Sequence, residues 1–266
     1  MKKGFKIFKV FPLLIGGIFS VYTGVVGQSI KLQEQSNSFG NHAGHAHNEK
    51  CAHTILESQL EKELGVFGTK AFFEDWMTRK IESKRSIPQI AKIQEGPRLI
   101  PVVVHVVHSG TAVGVGTNIP DSQIQEQIRI LNEDFRRKNA DANRTPAEFL
   151  SVAADANIEF VLAKQDPNGL PTSGIIRVEG PKSIYSPDDA TLIGQLSQWN
   201  PEEYMNIWVV PLTSPFIGYA SFPVSNLPGL NFPPNSRETD GVTIDYRYFG
   251  EGGNAVSGSK GRTTTH

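Results

Sequence analysis

The sequence predicts an α/β fold built on a twisted, mostly parallel sheet with packed helices. Residues 99–107, Leu99-Ile100-Pro101-Val102-Val103-Val104-His105-Val106-Val107, are almost continuously apolar and β-branched. That pattern belongs to a strand buried on both faces, as in the middle of a parallel sheet. Downstream, further strand-like runs alternate with helical patterns and turn signals, the order expected of an α/β sheet. The 17 prolines and 25 glycines favour long structured loops over a helical bundle.

The first 27 residues read as a secretory signal peptide. Lys2, Lys3, Lys6 and Lys9 precede an apolar run over 10–21, and Val25-Val26-Gly27 offers short side chains for cleavage before Gln28. The run is interrupted by Gly16, Gly17 and Ser20 and is short for a membrane span. Residues 28–97 precede the sheet domain. Their leader carries His42, His45, His47 and His53, which read as solvated residues of a polar stretch. Ile55, Leu56, Leu60 and Leu64 recur at helical spacing, with Gly65 placed as a C-terminal cap. Phe72, Phe73, Trp76, Met77 and Ile81 mark a second helix. Residues 86–96, together with Lys84, Arg85 and Lys92, read as a basic connector open to proteolytic nicking.

From residue 98 the sheet domain begins. After the first strand and a loop over 109–119, Pro120-Asp121-Ser122 opens a helix with Ile124, Ile128, Leu131 and Phe135 as its apolar stripe. Residues 158–163 form a strand ended by the turn signal Asp166-Pro167-Asn168-Gly169. Residues 175–178 are short and extended, 189–199 a weak helix and 205–210 a strong strand. Residues 218–222 stop at Pro223, which suits an edge strand. Residues 241–246 form the last strand. A Gly/Ser-rich stretch over 249–261 then leads into Gly261-Arg262-Thr263-Thr264-Thr265-His266, read as the first turn of a helix within which the reading frame breaks off.

Net charge is −1, so no basic field argues for nucleic acid, and no G-x-S-x-G or phosphate-binding glycine loop supports an esterase or nuclease. Cys51 is the single cysteine, so a disulfide within these residues is excluded; in a secreted chain such a thiol is reactive, a metal ligand, or paired elsewhere. His105 and His108 fall on a strand and read as core and rim residues.

From about residue 98 onward the chain resembles the pappalysin-type zinc metallopeptidases, the ulilysin-like branch of the metzincins. The resemblance rests on an ordered set: 100–108, Leu131-Asn132-Glu133-Asp134-Phe135-Arg136, 158–163, Gly174-Ile175-Ile176-Arg177-Val178, 205–210, Gly218-Tyr219-Ala220-Ser221-Phe222-Pro223, Asp240-Gly241-Val242-Thr243-Ile244 and the closing 261–266. It implies that 98–266 is the N-terminal part of a catalytic domain, with an antiparallel edge strand in its sheet and a C-terminal subdomain missing. It also implies a secreted precursor, with 28–97 as its pro-segment, that hydrolyses peptide bonds with zinc-activated water. In that family the zinc helix carries H-E-x-x-H-x-x-G-x-x-H, because histidines four apart share one helix face and ligate one ion.

Here the resemblance carries over one position of that motif, His266, as first zinc ligand. No general-base glutamate is present, so this chain is expected to be inactive. Cys51 is implied as a latency switch whose thiolate takes the zinc's open position. Gly218, Tyr219 and Ala220 are implied as a strand that pairs with extended substrate, and the loop over 224–240 as a cleft rim. The implied cofactor is zinc, with calcium as an open second ion, and the implied partners are protein or peptide substrates, with no nucleic acid and no membrane once the signal is removed. The alternative is a non-catalytic secreted binding module whose histidine tract takes up metal.

Overall fold

The computed structural model describes residues 50–52, 62, 70–85, 96–221 and 237–266, all within the compact unit Ala46–His266. The signal segment 1–27, the tract with His42, His45, His47 and His53, the helix expected at 55–64 and most of the basic connector lie outside the described residues. So does most of the 224–240 loop.

The long apolar run forms β2 (Arg98–His108), fully buried from Val102 to Val106. Six more strands surround it: β1 (Lys50–Cys51), β3 (Ile158–Leu162), β4 (Ile175–Glu179), β5 (Met205–Val210), β6 (Phe216–Ala220) and β7 (Val242–Asp245). The order is β1-β6-β7-β5-β2-β3, with β4 beside β2. Every pair is parallel except β6 with β7, so the sheet is mixed, mostly parallel, with an antiparallel strand near one border. β6 starts two residues earlier than its sequence suggests, and β1 lies along its outer side.

The strands β3 and β4 share one flank of β2. β3 pairs with Arg98–Val102, β4 with Val104–His108, and the chain between makes an excursion away from the sheet. The excursion closes where Ala163 N–H donates to Val102 O and Val104 N–H donates to Gly174 O. Gly174 has φ +73°, and a Cβ there would sit 2.6 Å from the Ala163 nitrogen, so only glycine fits the junction.

Three helices are described: α1 (Lys70–Arg85), α2 (Asp121–Phe135) and α3 (Ala190–Ser197). α2 buries Ile124 and Leu131 on one sheet face with Val102, Val104, Val106, Phe160, Ile207, Val209, Ile244 and Phe249. The opposite face packs Val107, Trp208, Val210, Tyr219 and Tyr185 against Ile193 of α3. The sheet thus lies between two helical layers, as two-sided apolar strands require. α1 carries Met77 and Ile81 exposed.

His105 sits at the centre of β2, fully buried, stacked on Trp208 with ring centroids 5.4 Å apart. Its Nε2 donates to Asn206 Oδ1 at 2.9 Å, and burial pulls its pKa down to about 4. It is the neutral core histidine expected from the strand pattern. His108, at the strand's end, accepts the Gly110 N–H on Nδ1.

Candidate functional site

The closing residues depend on α2. Gln123 and Gln127 stand one helical turn apart on a face beside the apolar stripe, and both are buried. Gln123 Nε2 donates to Phe249 O at 2.7 Å and Tyr246 O at 3.0 Å, while its Oε1 accepts Asn254 N–H at 2.7 Å. Gln127 Nε2 donates to Gly261 O at 2.9 Å, and its Oε1 accepts Gly250 N–H at 2.7 Å. The two side chains satisfy the backbone of a glycine-rich loop that has few partners of its own. Gly261 has φ +60°, and a Cβ would meet Ile130 Cδ1 at 2.6 Å.

The last turn is tied down further along α2 and just past it. Thr265 Oγ1 donates to Asp134 Oδ2 at 2.8 Å. Arg262 makes a two-nitrogen bond to Asp141, at 2.7 and 2.5 Å, and its Nε lies 3.4 Å from Asp134 Oδ1. Hydrogen bonding to Arg262, then to Asn139, holds the Asp141 carboxyl well below the usual carboxylate range. His266 N–H donates to Arg262 O at 3.1 Å, an i to i−4 bond of the α type. The turn expected from the threonine run is therefore present as a single turn, held by side chains of another helix.

That turn forms one wall of a cavity of about 540 Å³. The other walls are Ile217, Gly218, Tyr219 and Ala220 of β6 with Val242 and Ile244 of β7. Gly218 and Ala220 pair with Ile244 and Val242, so they share the α2 face of the sheet. The ring of Tyr219 packs into the opposite cluster, where burial pushes its phenol well up. A Cβ on Gly218 would come within 2.7 Å of Ile244 Cδ1 and 3.0 Å of Thr243 O, with Thr263 Cγ2 at 3.5 Å. Glycine keeps this corner of the cavity open.

Along the outer side of β6 runs β1. Cys51 is in register with Gly218, and Ala52 N–H donates to Gly218 O at 3.1 Å. The five residues singled out in the sequence, Cys51, Gly218, Tyr219, Ala220 and His266, therefore come together around one strand and one turn. The end of the 224–240 loop that is described, Arg237–Thr239, goes elsewhere, to α3 and to Asn200 and Glu202.

A catalytic zinc takes three protein donors and an open position. Among the described residues no group of three or more His, Cys, Asp or Glu stands in a metal-holding arrangement. His266 is exposed on the cavity wall and fits as one donor, but the described residues do not complete a set.

Sequence reasoning did not single out Gln123, Gln127 and Asp141. A polar residue on an amphipathic helix ordinarily faces water, and their partners are largely backbone groups or distant side chains that leave no local pattern. The one available signal was two glutamines four apart beside the apolar stripe.

No protein-family model matches the sequence, and no curated protein does. Solved structures do. Mature mirolysin of Tannerella forsythia in complex with a cleaved peptide is 45% identical over 65% of this chain and 62% of its own, with a TM-score of 0.56. A mirolysin bound to a compound aligns with the same identity and coverage at a TM-score of 0.55. A promirolysin variant from Tannerella forsythia is 39% identical over 82% of this chain and 66% of its own, at a TM-score of 0.64. The chain thus spans a little under two thirds of the length of these relatives. Identities of 39–45% with TM-scores of 0.55–0.64 place the chain in the mirolysin-like, pappalysin-type family of metzincin metallopeptidases.

Proposed function

We propose that the chain is part of a secreted, zinc-dependent endopeptidase made as a latent precursor. The observation that carries this reading is that the Gly218–Ala220 strand shares a cavity with His266 and pairs along its outer side with the backbone at Cys51. In this reading His266 donates one zinc ligand, and β6 offers backbone groups to an extended peptide. Zinc, when bound, supplies a Lewis acid and lowers the pKa of a bound water. The complex of mirolysin with a cleaved peptide supports protein or peptide substrates.

Latency is assigned to the segment around Cys51. β1 lies along the side of β6 that an incoming peptide would need, and its Ala52 N–H already uses the Gly218 carbonyl. A thiolate there is a good zinc ligand. Residues 1–27 serve as signal peptide and 28–97 as pro-segment, and release of the pro-segment frees β6. No helix among the described residues is long and apolar enough to cross a membrane.

The test is biochemical. The full-length product of which this chain is proposed to be part is collected from the culture fluid of its native host and assayed on a peptide library with and without a zinc chelator. Activity lost with chelator and restored by added zinc is expected. Chelator-resistant hydrolysis, or retention of the protein inside the cell, overturns the reading.

A further inference from the structure

The polar face of α2 has a use that its helical role does not require. Gln123, Gln127 and Asp134 fall at spacings of four and seven, which puts them on one side of the helix. On the solvent side of α2, Arg129 bonds Glu126 and Glu133 of the same helix, while Asn132 bonds the backbone of Phe160 in β3. The face with Gln123, Gln127 and Asp134 instead spends the hydrogen bonds recorded for it on residues 246–265. Buried glutamines are costly unless their amides are satisfied. Here the amide of Gln127 clamps both ends of one loop, Gly250 and Gly261, with donor and acceptor used once each.

The loop between those ends is a series of tight turns, with Ala255 N–H donating to Gly252 O, Ser259 N–H to Val256 O and Ser259 Oγ to Gly250 O. It contains positive-φ residues at Gly250, Gly252, Gly253, Gly258, Lys260 and Gly261. Such a segment samples many conformations when unpinned. Directly after the clamp come Arg262 and Thr265, pinned by Asp141 and Asp134, and then His266. The pins and the ligand are separated by one turn, so a shift at Gly261 is passed on to the His266 backbone.

We infer that Gln127 and Asp134 of α2 are positioning residues that fix where the His266 turn stands against β6. The inference rests on the reading of His266 as a zinc ligand, and it adds the device that holds this ligand in place before metal arrives. Preorganised ligand turns of this kind reduce the ordering that binding must otherwise impose.

The experiment measures backbone amide exchange by NMR on this chain and two variants. Gln127→Met keeps volume and removes donor and acceptor; Thr265→Val removes only the hydroxyl that Asp134 accepts. In both, exchange at the His266 amide is expected to speed up at least tenfold. The Val104 amide, bonded to Gly174 O in the sheet centre, is expected to keep its rate. Unchanged His266 exchange in both variants overturns the inference. If Gln127→Met does not fold, Thr265→Val alone decides it, since a half-buried hydroxyl in the last turn does not hold the sheet. The ligand reading is tested separately on the full-length protein, where His266→Ala is expected to lose stoichiometric zinc by metal analysis; zinc retained in full overturns that reading and leaves the exchange result to judge the positioning.

Discussion

His105 carries an electrostatic consequence from the centre of the sheet. Burial holds its pKa at about 4, and Asn206 returns part of that loss by accepting the Nε2 proton. The folded state thus binds its proton less tightly than an unfolded chain with a histidine of ordinary pKa near 6.5. Stability contributed by neutral His105 is complete above pH 6.5 and is lost as pH falls toward 4. A shift of this size corresponds to about 3 kcal/mol. Urea unfolding at pH 7.5 and pH 4.5 is expected to show a larger acid loss in the native sequence than in His105→Gln; equal losses would mean that His105 is not the group responsible. Gly218 makes a steric prediction. Its Cβ position is 2.7 Å from Ile244 Cδ1, so Gly218→Val overpacks the junction of β6, β7 and the Thr263 turn. A cost of about 1–3 kcal/mol is expected, read as a drop in Tm, together with a smaller cavity. A variant as stable as the parent would show that β6 shifts freely.

At the level of elements, the strands were the most legible part of the molecule. β2 and β5 are marked by largely apolar, β-branched runs buried on both faces, while β7 alternates as Val-Thr-Ile-Asp with its polar residues buried too. β6 was placed but set two residues late, because Phe216 and Ile217 follow Pro215 and look like loop. The α2 stripe of Ile124, Ile128, Leu131 and Phe135 was plain, whereas the adjacent row with Gln123 and Gln127 was not, since a helix pattern does not show which polar groups find backbone partners. Cys51 was picked out as a lone thiol, but nothing local indicated that it would pair with β6 at Gly218. That pairing gives the element-scale prediction. Two residues of parallel strand form too small a ladder to hold by themselves, so in the proposed reading latency rests on a thiolate bond from Cys51 to metal. Cys51→Ala is expected to shorten the lag before the secreted product becomes active. A lag of unchanged length would assign latency to other parts of the pro-segment.

For the whole molecule, sequence and structure agree on an α/β sheet layered between helices, and the candidate site gathers where its antiparallel strand meets the closing turn. These 266 residues contain no H-E-x-x-H-x-x-G-x-x-H, and in the proposed reading His266 supplies one ligand alone. The polypeptide of this sequence is expected to cleave no peptide even with zinc added; measurable turnover that chelator abolishes would require another ligand set. The divided flank of β2 bears on how copies of the sheet behave at high concentration. An unbroken outer strand is a template on which a second molecule can zip up and begin a fibril. Here the outermost hydrogen-bonding groups on that side belong to two five-residue strands, β3 and β4, separated by the excursion that closes at Gly174. A stray strand aligned with one of them runs into the excursion before it reaches the other. The detour at Gly174 thus works as a stop against edge-to-edge stacking, built into the same flank that completes the sheet.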